Sequence, residues 1–515
     1  MKKISTLLLP VLLLLGSCAD FLEPKSENEF VPESVTSLDE LLLYESYYMN
    51  ASALTPFFTL LSDDAAVVPF VGSGDLLTPV HLVPLRSLFT WQPDVYEVLD
   101  EDRVSESYYD IYSACYGRIL GCNAVLDYLP GVGGDPQEKT RIEAEACALR
   151  GFYYFHLVNC YGMPYNYDKE SLGVPLHLHS AVSSATVARN TVGEVYEQVL
   201  EDLKRAEQLY ESLPADMQWK ANMRVSLPFV QLLLSRVYLY MEEWAQASEY
   251  ADKVLGDTRF RLIDRLELPQ GEGTYFNFHS YANPEVIWPY GGASYLSFFE
   301  SPYMLVAALG GNAAFVTASN DLVTLLNRGP IVGDIRVKQY LIRDRRSVNY
   351  MAYSKFKVNE SSLIPDLNGY FARSFRVAEA YLNRAEAEAM LYAEEGGDAH
   401  RKEAVRLFDE LRAKRIEHPE YVEDDLDDRT PERLVNSIRN ERRRELCFED
   451  HRWFDLRRYG MPEVRHLWYE GATTAQVARY TLRKNDPHYA LQIPPSAMKY
   501  NSLLEQNPKG PVRVD

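Results

Sequence analysis

The strongest constraint on the fold is a pair of helical patterns, joined by a short turn, that recurs along the chain. Apolar residues recur at helical spacing over residues 108–129, Pro130 and Gly131 interrupt the pattern, and it resumes over 140–161. Further helical patterns cover residues 191–213, 226–241, 244–255, 374–394, 400–415 and 431–449. Helical hairpins of this kind bury their apolar faces only against neighbouring hairpins, so several should pack together. The sequence therefore predicts a mainly α fold.

One stretch indicates the type of hairpin. Residues 234–251 resemble a tetratricopeptide repeat, because the small side chains of Ala245, Ala247 and Ala251 would allow close helix packing. The spacing between successive pairs is irregular, so we predict tetratricopeptide-like hairpins rather than a regular array. The predicted scaffold covers about 100–257 and 371–458 of the chain.

A segment of different composition interrupts this scaffold at about 258–370. It is rich in Gly, Pro, Asn and aromatic residues, which favours loops with short strands. We predict strands over 285–289 and 353–358, and an irregular tail after Gly460.

The N-terminus reads as an export signal. Lys2 and Lys3 precede an apolar run over 4–15 that is too short to span a bilayer, and small residues follow before Cys18. The end of this stretch resembles the lipobox of bacterial lipoproteins, which implies cleavage after residue 17 and acylation of Cys18. Residues 18–36 would then form the lipidated N-terminus and tether, and 37–515 the folded domain. Ordinary secretion without acylation is the alternative.

Composition excludes some classes of partner. The formal net charge of −21 argues against binding to nucleic acid and against charge-driven adhesion to anionic lipids. Apart from Cys18 there are five cysteines, with no Cys-x-x-Cys pair, and we interpret them as small buried residues. They are Cys115, Cys122, Cys147, Cys160 and Cys447.

The sequence contains no H-E-x-x-H motif, no G-x-S-x-G motif and no Gly-rich phosphate loop, so we predict no catalytic residues and no cofactor. His177 and His179 would share a strand face, but two ligands without a third make a poor metal site. The acidic run 423–428 could bind a structural Ca²⁺ weakly; a solvated loop is favoured, because the spaced ligands and glycine of a calcium loop are missing.

The most charged stretch is the helical pattern over 431–449. Glu441 should face Arg444, and Arg442 should face Glu445, one turn apart on the helix. We interpret these charges as a buried ion network that joins this helix to the hairpins, rather than as an active site.

Several ordered blocks together resemble the SusD/RagB family of outer-membrane nutrient-binding lipoproteins. The strongest block is 438–460, and the others are 145–164, 376–387, 491–501 and 506–508. The positions of the strongest block that match the family pattern are Glu441, Arg442, Glu445, Leu446, Glu449, Arg452, Asp455, Leu456 and Arg458. Ser496 and Ala497 stand where the family usually has an acid, and Gly151 where it usually has alanine.

The resemblance implies a SusD-like helical fold that caps a SusC-like TonB-dependent outer-membrane transporter. It implies a non-catalytic protein, held at the outer membrane by its lipid and facing the exterior, that binds oligosaccharides and passes them to the transporter. Family members usually build the ligand site on two irregular segments, here 55–96 and 260–303. The candidate sugar-stacking residues within them are Trp91, Tyr96, Trp288, Tyr290 and Tyr295.

Three alternatives stay open. The protein could be a peptide-binding member of the same family, for which the acidic surface would favour basic peptides. It could be an adaptor whose repeats dock only proteins. A glycosidase with paired carboxylates is the third, since 74 acidic residues make some suitable pair inevitable.

Overall fold

A computed structural model describes residues 32–47, 54, 57–67, 85–101, 106, 109–181, 186–268, 279–292, 316–328, 332–340, 342–343, 350–351, 371–421, 427–469 and 477–513. The helices in this part of the chain are α1 (Val35–Glu45), α2 (Phe58–Leu61), α3 (Val95–Glu101), α4 (Ile111–Tyr128), α5 (Pro136–Tyr161), α6 (Val192–Glu211), α7 (Ala215–Gln218), α8 (Leu227–Met241), α9 (Trp244–Leu255), α10 (Asn320–Leu326), α11 (Arg336–Tyr340), α12 (Val377–Glu395), α13 (Asp398–Ala413), α14 (Pro431–Leu446), α15 (Arg452–Arg458) and α16 (Pro495–Tyr500).

The strands are short and form two-stranded antiparallel sheets. They are β1 (Ala65–Val67), β2 (Val286–Gly292), β3 (Val316–Ala318), β4 (Ile342–Arg343), β5 (Tyr350–Met351), β6 (Phe371–Arg376), β7 (Val464–Tyr469) and β8 (Val477–Leu482). The pairs are β1 with β3, β2 with β6, β4 with β5 and β7 with β8.

The helices form the predicted row of hairpins. Helix α5 lies between α4 and α6, α8 packs on α6 and α9, and α12 packs on α9, α13 and α14. Helix α5 is the centre of the core, because almost every side chain from Ala144 to Tyr161 is buried. The mainly α fold with tetratricopeptide-like hairpins is therefore confirmed.

Local capping explains where several helices begin. The Thr191 side chain accepts a hydrogen bond from the Glu194 backbone and Glu194 reciprocates, which makes a capping box at α6. Thr430 caps α14 with Pro431 in its first turn, as predicted. The turn between α8 and α9 passes through Glu242, whose φ of 63° is in the left-handed region.

Two predicted boundaries are wrong. The helix expected from residue 374 begins at Val377, because residues 371–376 form β6 and pair with β2. The tail after Gly460, expected to be irregular, contains the β7–β8 hairpin, in which Val464, His466 and Trp468 alternate as buried residues with exposed neighbours. The predicted strand over 285–289 is confirmed as β2, and the one over 353–358 lies outside the described residues.

The five cysteines Cys115, Cys122, Cys147, Cys160 and Cys447 are all buried free thiols, which confirms their interpretation as small core residues. Burial raises the pKa of the Cys122 thiol to about 12, so the thiol is protonated and unreactive at neutral pH.

A buried ion network joins α14 to the rest of the scaffold. The Glu445 carboxylate lies 3.0 Å from Arg415, 3.3 Å from Arg376 and 3.4 Å from Arg336. Glu285, which precedes β2, lies 2.7 Å from Arg376 and 2.8 Å from Arg415. Burial alone would raise the pKa of Glu445, but the three guanidinium groups lower it well below its ordinary value. The network thus links five segments that are far apart in the chain.

One of the two ion pairs predicted within helix α14 is present. Glu441 does pair with Arg444, at 2.9 Å. Arg442 does not pair with Glu445, because its guanidinium forms an ion pair with Asp455 on α15 at 3.0 Å. The Glu445 carboxylate points instead towards the arginines of other segments. The buried network itself is confirmed.

The C-terminal segment returns to the core. Gln506 exchanges two hydrogen bonds of 2.8 Å with the Ile493 backbone, and the Asn507 amide donates to the Tyr161 and Leu491 carbonyls at 2.7 and 2.6 Å. His488 is buried in this segment, and Arg513 pairs with Asp486 close by.

We expect His488 to make the fold sensitive to mild acid. Burial, together with the nearby Arg513 guanidinium, lowers the pKa of His488 to about 3. Below its ordinary pKa the unfolded histidine binds a proton that the folded one does not, so stability is full at neutral pH and falls as the pH drops. The free energy of unfolding should fall by about 3 kcal/mol between about pH 7.5 and 4.5 from this residue.

Urea titrations at both pH values check this. The variant His488→Gln should show a pH dependence weaker by that amount, while His179→Gln, whose side chain is 82% exposed, should match the parent protein. An unchanged pH dependence in His488→Gln would contradict the assignment.

Candidate functional site

A cleft lies where the two-stranded β2–β6 sheet meets α5, α8 and the turn between α14 and α15. Its cavity volume is about 50 Å³, and about 600 Å³ when the open solvent at its mouth is included. We call it the β2–β6 cleft. Its lining residues are Phe155, His156, Asn159, Arg236, Tyr240, His279, Tyr290, Arg373, Ser374, Phe375, Glu449, Asp450, His451 and Phe454.

The strand register places an aromatic ring beside a cation at this cleft. Tyr290 on β2 is paired with Arg373 on β6, and Trp288 with Phe375. Trp288 is buried and stacks beneath Tyr290, with ring centroids 4.7 Å apart and planes 13° apart. Tyr290 is therefore held in place by a rigid aromatic neighbour while it remains partly exposed.

The charged residues around the cleft pair with one another. The Arg373 Nε donates to Asp450 at 2.5 Å, and Arg236 donates twice to Glu379 at 2.6 Å. Asp450 lies in the turn between α14 and α15, and its φ of 64° is in the left-handed region.

Several uncharged polar side chains also line the cleft. The His279 Nδ1 and the Ser374 Oγ are 2.9 Å apart. Burial, assisted by the Asp450 carboxylate, raises the pKa of Tyr290 to about 12, so its hydroxyl is a hydrogen-bond donor at neutral pH. Burial lowers the pKa of His156 to about 4, which keeps that imidazole neutral.

The predicted ligand-binding aromatics fall into different environments. Trp91 is fully buried: its Nε1 donates to the Leu61 carbonyl at 3.0 Å, and its ring stacks on His466 at 4.1 Å. Tyr96 is buried with its ring 5.8 Å from that of Tyr109. Neither lines the β2–β6 cleft.

Trp288 is buried, and its Nε1 donates to the Met223 carbonyl at 2.9 Å. Tyr290 is the predicted candidate that borders the cleft. Tyr295 and the lipidation candidate Cys18 lie outside the described residues. In this conformation the buried indoles of Trp91 and Trp288 support the core and offer no free face to a sugar.

The sequence analysis did not select the polar residues of the cleft. Arg373, Asp450 and His279 come from three separate segments, and nothing in the sequence indicates that these segments meet. One of these residues could have been predicted from the sequence. Asp450 directly follows the helical pattern over 431–449, so it is expected to lie beside the end of that helix.

The metal candidates gain no support. His179 Nδ1 lies 3.2 Å from Asp127, and residues 177–179 form no strand. Of the acidic run, residues 423–426 lie outside the described part, Asp427 pairs with Arg429 and Asp428 with Arg401. Within the described ranges no three His, Cys, Asp or Glu side chains are grouped as metal ligands.

In the same part of the chain, every helix is too short or too polar to cross a bilayer.

Comparison with known families gives two matches. The model of the SusD family matches residues 338–509, and a second model, described as starch-binding and associating with the outer membrane, matches residues 85–239. A SusD-like protein, P38, of Formosa agariphila is 24% identical over 415 residues, which is 71% of this chain and 75% of that protein.

Solved structures share the fold. A putative sugar-binding protein from Bacteroides vulgatus matches with a TM-score of 0.69 and 21% identity, over 94% of this chain and 100% of the other. A SusD superfamily protein from Bacteroides thetaiotaomicron gives 0.66 and 23%, over 92% and 100%. A laminarin-binding SusD-like protein gives 0.58 and 21%, over 93% and 100%. The matched segments, the SusD-like relative and the shared fold lead to one conclusion: this chain belongs to the SusD/RagB family.

Proposed function

We propose that this protein is a surface lipoprotein that binds an oligosaccharide nutrient without altering it and delivers it to a SusC-like TonB-dependent outer-membrane transporter. The observation that carries the binding part is the β2–β6 cleft, where the partly exposed Tyr290 lies beside Arg373 and Asp450. Sugars present C–H faces that pack on aromatic rings and hydroxyls that bind charged side chains.

The family supports a carbohydrate as the ligand class. One of the two matching models is described as starch-binding, and solved relatives are described as sugar-binding and laminarin-binding. The description of that model also supports a location at the outer membrane. Acylation of Cys18 and the transporter partner are our proposals from the sequence; loss of membrane association in a Cys18→Ala variant would test the first.

The cleft argues against a glycosidase. A glycosidase needs one carboxyl group that keeps its proton and a second that is ionised. The two carboxylates lining the cleft, Glu449 and Asp450, are both in ion pairs, with Arg376 at 2.7 Å and Arg373 at 2.5 Å. Pairing with a guanidinium favours the ionised form, so neither is suited to donate a proton.

Binding without turnover is directly testable. Affinity gels containing laminarin, glycogen or polygalacturonate should show retention by at least one polymer, and chromatography of the incubated polymer should show no shorter products. Released products would identify an enzyme. Co-purification with an outer-membrane barrel and no retention by any polymer or basic peptide would favour the adaptor alternative.

The variant Tyr290→Ala tests the site. Loss of the stacking surface should weaken binding about tenfold, because an aromatic contact contributes about 1 kcal/mol or somewhat more. Isothermal titration with the retained polymer measures the effect. The matched control is Tyr44→Ala, an 81% exposed tyrosine that does not line the cleft. Equal affinity in both variants would remove Tyr290 from the site while leaving the function in place.

A further inference from the structure

We infer that Arg457 and Trp453 hold a small monovalent anion, of the size of chloride, inside the core beside α15. The two side chains are 2% and 1% exposed, and each has N–H groups without an acceptor in the described part of the chain. Neither residue lines the β2–β6 cleft, so this site is separate from the proposed ligand site.

Arg457 is a buried cation that forms no ion pair within the described ranges. Its Nη2 donates to the Gly162 carbonyl, while its Nε and Nη1 have no hydrogen-bond partner. Burial lowers the pKa of Arg457 to about 10, so the guanidinium still carries its charge at neutral pH. A buried charge of this kind is costly unless an opposite charge lies beside it.

The ionisable groups that act most strongly on this guanidinium do not supply the opposite charge. They are the Cys160 thiol and the phenols of Tyr196, Tyr240 and Tyr489. Burial raises the pKa of all four groups, so each keeps its proton at neutral pH. We therefore expect the opposite charge to come from a bound ion.

Two other buried arginines show how this protein usually accommodates a guanidinium. Arg458 pairs with Glu386 at 2.6 Å and with Asp455 at 2.9 Å. Arg189 donates five hydrogen bonds, to backbone carbonyls and to the side-chain oxygen of Asn507. Arg457 has neither a paired carboxylate nor a full set of carbonyl acceptors among the described residues, which distinguishes it from both.

Trp453 supplies a second donor on the same side of α15. It precedes Arg457 by four residues, so the two side chains are neighbours on the helix surface. The Trp453 ring stacks on Tyr489 with centroids 5.0 Å apart, and Tyr489 is also one of the phenols that act on Arg457. The indole N–H and the guanidinium are thus placed around the same tyrosine.

The chemistry of these donors selects the class of ligand. Indole and guanidinium groups donate hydrogen bonds and do not accept them, which suits an anion. A water molecule would accept the hydrogen bonds but would leave the charge without a counter-ion. Because protein interiors are close-packed, a monatomic halide fits such a position better than sulfate or phosphate.

The chloride dependence of stability tests the site. Urea titrations are made at constant ionic strength, with chloride exchanged for gluconate. An anion that binds only the folded state should raise the folding equilibrium constant about tenfold for each tenfold rise in chloride above its dissociation constant, over a range of about 10 to about 300 mM. Bromide should replace chloride, and sulfate should not.

Variants assign this effect to the two donors. Arg457→Met should abolish the chloride dependence, whereas Arg433→Met, which alters a 54% exposed side chain, should keep it. Trp453→Phe preserves an aromatic ring and should require about tenfold more chloride, because one charge-assisted hydrogen bond is lost. Its matched control is Trp244→Phe, since the Trp244 Nε1 already donates to Glu394 at 2.8 Å.

Crystals of the parent protein grown in bromide give a measurement that does not depend on the folding of any variant. An anomalous peak between the Trp453 Nε1 and the Arg457 guanidinium is expected. Density there without an anomalous signal would identify water and overturn the inference. Stability that does not respond to chloride, or a response that Arg457→Met retains, would also overturn it. An unchanged response in Trp453→Phe would overturn the two-donor site.

Discussion

The variant Glu445→Gln should lower the free energy of unfolding by about 3–5 kcal/mol, the cost of leaving buried charges without a partner. Glutamine keeps the shape of glutamate but removes the negative charge that faces Arg336, Arg376 and Arg415. These guanidinium groups are all buried, so water cannot replace the lost carboxylate. Urea denaturation followed by circular dichroism measures the change.

The matched control for this prediction is Glu410→Gln. Glu410 pairs with Arg406 on the surface of α13, where the two side chains are 43% and 47% exposed. An exposed pair of this kind contributes less than about 1 kcal/mol. A Glu445→Gln variant as stable as this control would show that α14 is held by apolar packing and that the network adds little.

The variant Trp288→Ala should cost about 3–5 kcal/mol of stability, as expected for deletion of a large buried aromatic side chain. The indole contacts Phe229 at 4.5 Å and Tyr290 at 4.7 Å between ring centroids, and its N–H bonds the Met223 carbonyl. Thermal and urea unfolding measure the loss. Trp288→Phe, which preserves most of the ring packing, should lose clearly less.

This prediction also separates a core role from a ligand role for Trp288. If Trp288→Phe keeps both its stability and its affinity for a retained polymer, the indole serves the packing beneath Tyr290. Marginal destabilisation by Trp288→Ala, below about 1 kcal/mol, would contradict the core assignment and return Trp288 to the candidates for sugar contact.

Features that depend on neighbouring residues could be predicted well. The start of α14 at Thr430 and Pro431 was predictable, because the capping side chain and the proline act within one turn. The burial of Cys115, Cys122 and Cys147 was predictable because these residues lie in helical patterns. The strand β2 is predicted for similar reasons, whereas the last three residues of β6, 374–376, fall in the predicted helix, because their pairing with β2 overrides the local preference.

The candidate site was harder to predict, as two tryptophans illustrate. Trp91 and Trp288 are predicted candidates because sugars stack on aromatic rings and both residues lie in the irregular segments where family members usually bind ligand. Whether such a ring is covered depends on distant residues: His466 covers Trp91, and Phe229 and Tyr290 enclose Trp288. The sequence alone offers no measure of that coverage.

The sequence by itself determined the helical hairpins, the helix starts and the family, because helical periodicity and capping act over a few residues and the motifs keep their order. The tertiary structure alone decided that Arg442 pairs with Asp455, that Glu445 meets three arginines, and that Tyr290 borders a cleft with Asp450. The physical reason is that burial and charge pairing are set by contacts between segments far apart in the chain, and local patterns do not encode which segments meet.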